Sequence, residues 1–224
     1  ELYFVDGEKE LLTSAVMVGT DHTQTPIFKD VMKYIDINPT WTVPTSLNHT
    51  YIDKLKNNPS YLRDKNINVV TTGGAIVDIA GKDWVNYSAS NFPYMFRQEP
   101  GPGNALGEMK FMFPNKFSVY LHDTPARNLF NKDIRAFSHG CIRTKEIYRL
   151  AELLLEPNNE GWSQEKIKKV VETRKTTTVV LKEQVPVLLL YWTAGIGFKG
   201  NFYFKPDIYE RDKDLIDSLN KKSE

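Results

Sequence analysis

The sequence predicts a mainly β protein with a few covering helices, an α+β arrangement, and three observations carry that expectation. Short runs of alternating or β-branched apolar residues, bounded by Gly, Pro, Asn and Asp, recur from Leu2 to Phe204. Helical periodicity is confined to a few segments, clearest at Ile147, Leu150, Ala151, Leu154 and Leu155. The 224 residues are 41% hydrophobic and 25% charged, with 12 Phe, 11 Tyr and 4 Trp, which is enough to bury a sizeable core.

Taken in order, Leu2 to Val5, the Asp6-Gly7 turn and a return strand from Leu11 to Val18 read as a hairpin. A polar loop follows, then a strand over Val31 to Ile37 that Pro39 ends. Between residues 44 and 97 the character changes. Pro59, Gly73-Gly74, Gly81 and Pro93 punctuate short segments, with a helix expected at Asn48 to Lys56 and a strand at Ala75 to Ile79. The aromatics of this stretch, among them Tyr51, Trp84, Phe92 and Phe96, suit a satellite core, with a substrate-facing wall as the alternative. The domain reading is therefore residues 1–43 and 98–224 as one unit and 44–97 as an insertion. Pro100 to Gly107 is a rigid turn rather than a phosphate loop, because its two prolines remove amide donors. Strands are expected at Glu108 to Phe113 and Phe117 to His122, the latter turning Phe117, Val119 and Leu121 to one face and Ser118, Tyr120 and His122 to the other. Thr144 is placed to cap a helix to Leu155 and Ser163 to start a second. Strands at Thr177 to Leu181 and Val187 to Thr193, a short strand near Phe202 and a charged helix complete the chain.

Bulk charge excludes some functions. Twenty-nine Lys and Arg balance 28 Asp and Glu, so no global field draws nucleic acid or an anionic membrane. The run from Val185 to Trp192, broken by Pro186, is far short of the roughly 18 apolar residues of a membrane span. With neither an initiator Met nor a signal sequence, the chain reads as a mature or truncated piece of a longer protein.

The chemistry centres on Ser138-His139-Gly140-Cys141-Ile142-Arg143, which holds the sole cysteine. A lone free cysteine commonly fills a small core slot, but His-Gly before it and Ile-Arg after it suit a reactive thiol better. His139, Arg143 and the start of the following helix are each placed to favour a thiolate. His22, His49 and His122 are the other candidates for a base, and His122 is favoured, at a polar strand end 19 residues before Cys141. Its orienting acceptor is left open between the Asp123 side chain and a backbone carbonyl just after His122. His139, two residues from Cys141, would share its face in extended chain. Gly140 lets a carbonyl approach, so the amides of Gly140 and Cys141 are candidate oxyanion donors. The same side chains admit a zinc reading, with His122, His139 and Cys141 as ligands, but no supporting metalloenzyme motif surrounds them. No metal or other cofactor is expected.

His122-Asp123-Thr124 followed by Ser138-His139-Gly140-Cys141-Ile142-Arg143 closely resembles the active-site signature of the YkuD-type L,D-transpeptidases. Trp41 to Ser46, Pro100 to Gly107, Tyr120 to Pro125, Leu129-Phe130 and Asp207 to Tyr209 extend the resemblance to the YcbB branch of Gram-negative envelope enzymes. It implies a β-sandwich or barrel-like catalytic domain whose insertion, here 44–97, caps the active site. It also implies a periplasmic enzyme, membrane-anchored at full length, that forms 3→3 cross-links between peptidoglycan stem peptides. Cys141 would become a thioester with a tetrapeptide donor and D-Ala would leave. His122 would move the protons, and carbapenems would acylate the thiol. Arg143, Tyr120, Asp123 and Ser138 become candidate substrate-binding residues. An L,D-carboxypeptidase, an envelope-protein attachment enzyme and an inactive peptidoglycan-binding module are the alternatives.

Overall fold

A computed structural model describes residues 1–80, 82–197 and 200–221. Its strands are β1 (Leu2–Asp6), β2 (Lys9–Ser14), β3 (Val16–Gly19), β4 (Phe28–Ile37), β5 (Trp41–Thr42), β6 (Ile67–Val70), β7 (Met95–Gln98), β8 (Met109–Met112), β9 (Leu121–His122), β10 (Ala136–Ser138), β11 (Ile142–Thr144), β12 (Thr177–Leu189), β13 (Ala194–Ile196) and β14 (Phe202–Phe204). The α-helices are α1 (Asn48–Asn57), α2 (Pro59–Asp64), α3 (Ile147–Leu155), α4 (Gln164–Glu172) and α5 (Asp212–Asn220). Seven strands form the main sheet in the order β10-β3-β11-β9-β8-β4-β12, and β5-β7-β6 form a smaller one. The protein is thus mainly β with covering helices, as the residue patterns predict.

Alternation along the strands decides what each face of the main sheet carries. Ile35 and Ile37 of β4, Met109 and Phe111 of β8, Leu121 of β9, Ile142 of β11 and Val179 of β12 pack with Ile147, Leu150, Leu154 and Ile167 of α3 and α4. Because successive side chains point oppositely, the residues between them face the other way. Register then aligns those residues across strands: Thr178 opposes Asp36, Asp36 opposes Lys110, Lys110 opposes His122, and His122 opposes Arg143. A polar row crosses five strands on the face away from the helices.

A second apolar cluster gathers Val43, Ile52, Leu55, Leu62, Ile67, Val69, Trp84 and Phe96 around the smaller sheet and α1 and α2. The aromatics of this stretch therefore pack with one another, Phe92 stacking on Phe96 at 5.0 Å.

Several local expectations are corrected. The return strand of the first hairpin divides at Ala15, so that β2 pairs with β1 while β3 joins the main sheet. Ala75 to Ile79 makes one isolated bridge, Val70 to Ile76, rather than a strand. The expected strand from Phe117 shrinks to β9, because Ser118 takes φ +55 and the Asn115 side chain clasps the turn by bonding the carbonyls of Phe113 and Val119. Residues 177–189 form one strand rather than two, interrupted by a register shift, and Pro186 is tolerated because β12 lies at the sheet edge. Thr144 does not cap α3. It is buried in β11 and bonded to Ser14 Oγ, which itself accepts the N–H of Glu146. Ser163 does cap α4, accepting from Lys166 N–H at 3.3 Å.

Candidate active site

Cys141 sits in the turn between β10 and β11, and its shape is set by hydrogen bonds from three directions. Gly140 adopts φ +108, which ends the extended run and which a side chain would strain. Ser138 Oγ donates to the Cys141 carbonyl at 2.6 Å and accepts the Gly140 N–H at 3.1 Å. Thr23 and Thr25 reach in from the loop after β3, donating to the carbonyls of Ser138 and Gly140 at 3.0 and 2.9 Å. Tyr209 holds that loop in turn, donating to the Gly19 carbonyl and accepting the Thr25 N–H.

The thiol is half-buried and contacts the Ser118 carbonyl at 3.8 Å. In the parallel pair β9–β11, the Ile142 N–H bonds the Tyr120 carbonyl at 3.0 Å, bringing Cys141 beside Tyr120, whose phenol lies against the thiol. Burial pushes the Cys141 pKa up, while Tyr120, Lys110 and Arg143 pull it down. Burial outweighs the neighbours expected to favour a thiolate, so the group is a thiol that needs a base. The following helix does not assist, because β11 intervenes before α3 starts at Ile147.

His122 is buried at 5% exposure, and its Nδ1 meets the Asp123 carbonyl at 2.5 Å. Of the two acceptors left open by the sequence, the backbone carbonyl is the one in contact. Burial, reinforced by the Arg143 charge, lowers the His122 pKa from 6.5 to about 3, so the imidazole is neutral at ordinary pH. Unfolding restores the ordinary value, so below about pH 6.5 the unfolded chain binds a proton that the folded chain refuses. Stability from this group is complete above that pH and falls towards pH 3 by up to about 1.4 kcal/mol per pH unit. Urea midpoints for wild type and His122→Asn should converge between pH 7 and pH 4. Parallel curves would contradict this account.

Four of the sequence-picked residues are placed differently from expectation. Asp123 does not face the cleft, because its buried carboxylate accepts the Glu108 N–H at 3.0 Å and pairs with Arg127 at 2.8 Å. Ser138, 2% exposed, is spent on shaping the turn. Gly140 donates its N–H to Ser138, which leaves the Cys141 N–H, with no partner among the described residues, as the available oxyanion donor. His139 is exposed and lines a separate pocket of about 410 Å³ with His22, Gln24 and Phe117, since the turn at Gly140 removes it from the Cys141 face. Among the described residues, no three His, Cys, Asp or Glu side chains converge as a metal-ligand set.

Arg143, two residues after Cys141, lies in β11 opposite His122. Its Nε is buried without a hydrogen-bond partner. Sequence reasoning missed Lys110 and Asp36. Lys110 Nζ lies 4.2 Å from the Tyr120 ring centroid, and both residues line a pocket of about 350 Å³ with Asp36, Trp41 and Thr42. The signal was present as a lone Lys within the apolar run Met109 to Phe113.

A family model of the YkuD L,D-transpeptidase catalytic domain matches residues 1–187. The chain belongs to that family. A curated relative from Haemophilus influenzae (strain ATCC 51907 / DSM 11121 / KW20 / Rd), described as "Putative L,D-transpeptidase", is 37% identical over 214 residues, which is 95% of this chain and 42% of the relative. The chain thus spans less than half the length of that relative. The YkuD match ends within β12, so Tyr209 and α5 lie beyond it. No helix among the described residues is long and apolar enough to cross a membrane.

Proposed function

We propose that this YkuD domain is a peptidoglycan L,D-transpeptidase acting in the periplasm through a Cys141 thioester. The observation that carries the reading is the convergence at the Tyr120 ring of the Cys141 thiol and a buried neutral His122, with Arg143, its Nε buried and unpaired, opposite that histidine. The Cys141 sulfur attacks the carbonyl that joins the third stem residue to the terminal D-Ala, and His122 takes the thiol proton. The developing oxyanion meets the Cys141 N–H. The C–N bond then breaks, the proton passes to the leaving amine, and D-Ala departs. An amine from a second stem then attacks the thioester carbonyl and gives a proton to His122, the C–S bond breaks, and the freed Cys141 sulfur takes that proton as the 3→3 amide link forms. Arg143 supplies a charge-assisted donor for the D-Ala carboxylate, and Tyr120 holds the thiol and lines the donor groove. Residues 44–97 serve as the cap, and carbapenems acylate the same sulfur.

Incubation with a disaccharide tetrapeptide, read by mass spectrometry, tests the reaction. Dimers linked 3→3 together with free D-Ala are the expected products. Tripeptide and D-Ala without dimers would instead mark a carboxypeptidase, in which water resolves the thioester.

A further inference from the structure

Three peptide units meet at the Cys141 turn, and each is pinned at a different atom. The Ser138 hydroxyl holds the unit before Gly140 through its N–H and the unit after Cys141 through its carbonyl. The unit between them joins the Gly140 carbonyl to the Cys141 N–H, the available oxyanion donor. Among the described residues its one hydrogen-bond partner is the Thr25 hydroxyl, which donates to the Gly140 carbonyl at 2.9 Å. That hold matters because Gly140, at φ +108 and without Cβ, offers little steric resistance to rotation of the peptide plane. Thr25 is itself fixed. Its Oγ1 accepts the Gly19 N–H at 3.0 Å, which directs the hydroxyl hydrogen onto Gly140, and its own N–H donates to the Tyr209 hydroxyl at 3.2 Å.

We propose that Thr25 is a positioning residue for oxyanion stabilisation, acting through the Gly140–Cys141 peptide. The inference rests on the acyl-transfer reading above and adds to it a residue far from Cys141 in the chain. Thr25 lines neither of the two pockets described above, so its influence runs through the peptide rather than through contact with substrate. Two effects follow from the one bond. A trans peptide is planar, so anchoring the carbonyl oxygen fixes the direction of the N–H on the opposite side. A hydrogen bond accepted by that oxygen also draws electron density from the nitrogen through amide resonance, which makes the N–H a stronger donor. Both effects bear on the tetrahedral intermediate, where negative charge collects on oxygen, and little on the bound ground state. Neither alters the sulfur or the imidazole, so the reactivity of the thiol itself is independent of Thr25.

The test sets acylation by a tetrapeptide stem beside alkylation of Cys141 by iodoacetamide, both read by intact mass on the same folded sample. Alkylation consumes the thiol without forming an oxyanion, so it reports a displaced turn or an altered sulfur. Thr25→Val removes the hydroxyl at nearly constant shape. It should lower the maximal acylation rate by about tenfold or more, with the half-saturating stem concentration and the alkylation rate within about twofold of wild type. Thr25→Ser restores the donor and should acylate within about threefold of wild type. Tyr209→Phe keeps Thr25 but frees its N–H, and should show the same split to a smaller degree, which keeps the comparison open if Thr25→Val folds poorly. Acylation by Thr25→Val at the wild-type rate, equal falls in acylation and alkylation, or a Thr25→Ser variant as slow as Thr25→Val would each overturn the inference and leave the acyl-transfer reading standing. A wild type that takes no adduct from the stem would overturn that reading and the inference together.

Discussion

Cys141→Ala is expected to abolish acyl-enzyme formation, with a loss of at least about a thousandfold in turnover. The turn does not depend on the sulfur, since its hydrogen bonds run through the Cys141 carbonyl, the Gly140 amide and the Ser138 hydroxyl. The variant should therefore fold, with a melting curve close to wild type. Intact mass after exposure to a carbapenem or a tetrapeptide stem makes the check direct. An adduct that survives the substitution would place the nucleophile elsewhere, and wild type that takes up neither reagent would contradict the thioester route.

Gly19→Ala should be the most damaging single-methyl change near the site, although Gly19 touches no substrate. A Cβ there would lie 1.9 Å from the Thr23 carbonyl oxygen and 2.9 Å from its carbon, so backbone would have to move. That backbone belongs to the loop whose Thr23 and Thr25 hold Ser138 and Gly140, and Gly19 itself donates to Thr25 Oγ1 at 3.0 Å. Overpacking of this severity costs on the order of 3 kcal/mol, a fall in Tm of roughly 6–12 °C for a chain of this size. Acylation should fall further than the unfolded fraction accounts for, because the displaced loop releases the Cys141 turn. Thermal melting and the acylation rate, measured well below Tm, separate the two effects. Unchanged acylation at that temperature would show that the loop does not hold the turn.

The residues that were legible in sequence are those whose signal is local. Alternation in Met109-Lys110-Phe111 and Leu121-His122 needs no knowledge of neighbouring strands, and the helical stripe of Ile147, Leu150 and Leu154 is likewise complete within one segment. The His122 and Cys141 pattern was readable for the same reason, as was the cap at Ser163. The parts that were missed depend on partners distant in the chain. Thr144 has the composition of a cap, yet Ser14, 130 residues away, bonds both its hydroxyl and the N–H of Glu146 just before α3. Ser138 and Gly140 look available for substrate until the turn spends the hydroxyl on the amide.

By itself, then, the sequence determined a sheet-based fold, a candidate thiol with a candidate histidine base, and membership of a family recognisable from a short motif. Only the tertiary structure decided which groups surround that thiol. Register across five strands lined up Thr178, Asp36, Lys110, His122 and Arg143, and the positive φ of Gly140 turned His139 away. The physical reason is that side-chain direction follows the local backbone, whereas register and burial arise from contacts between distant segments. Burial in turn pushes the Cys141 pKa up and the His122 pKa down, the directions that the proton transfer proposed above requires.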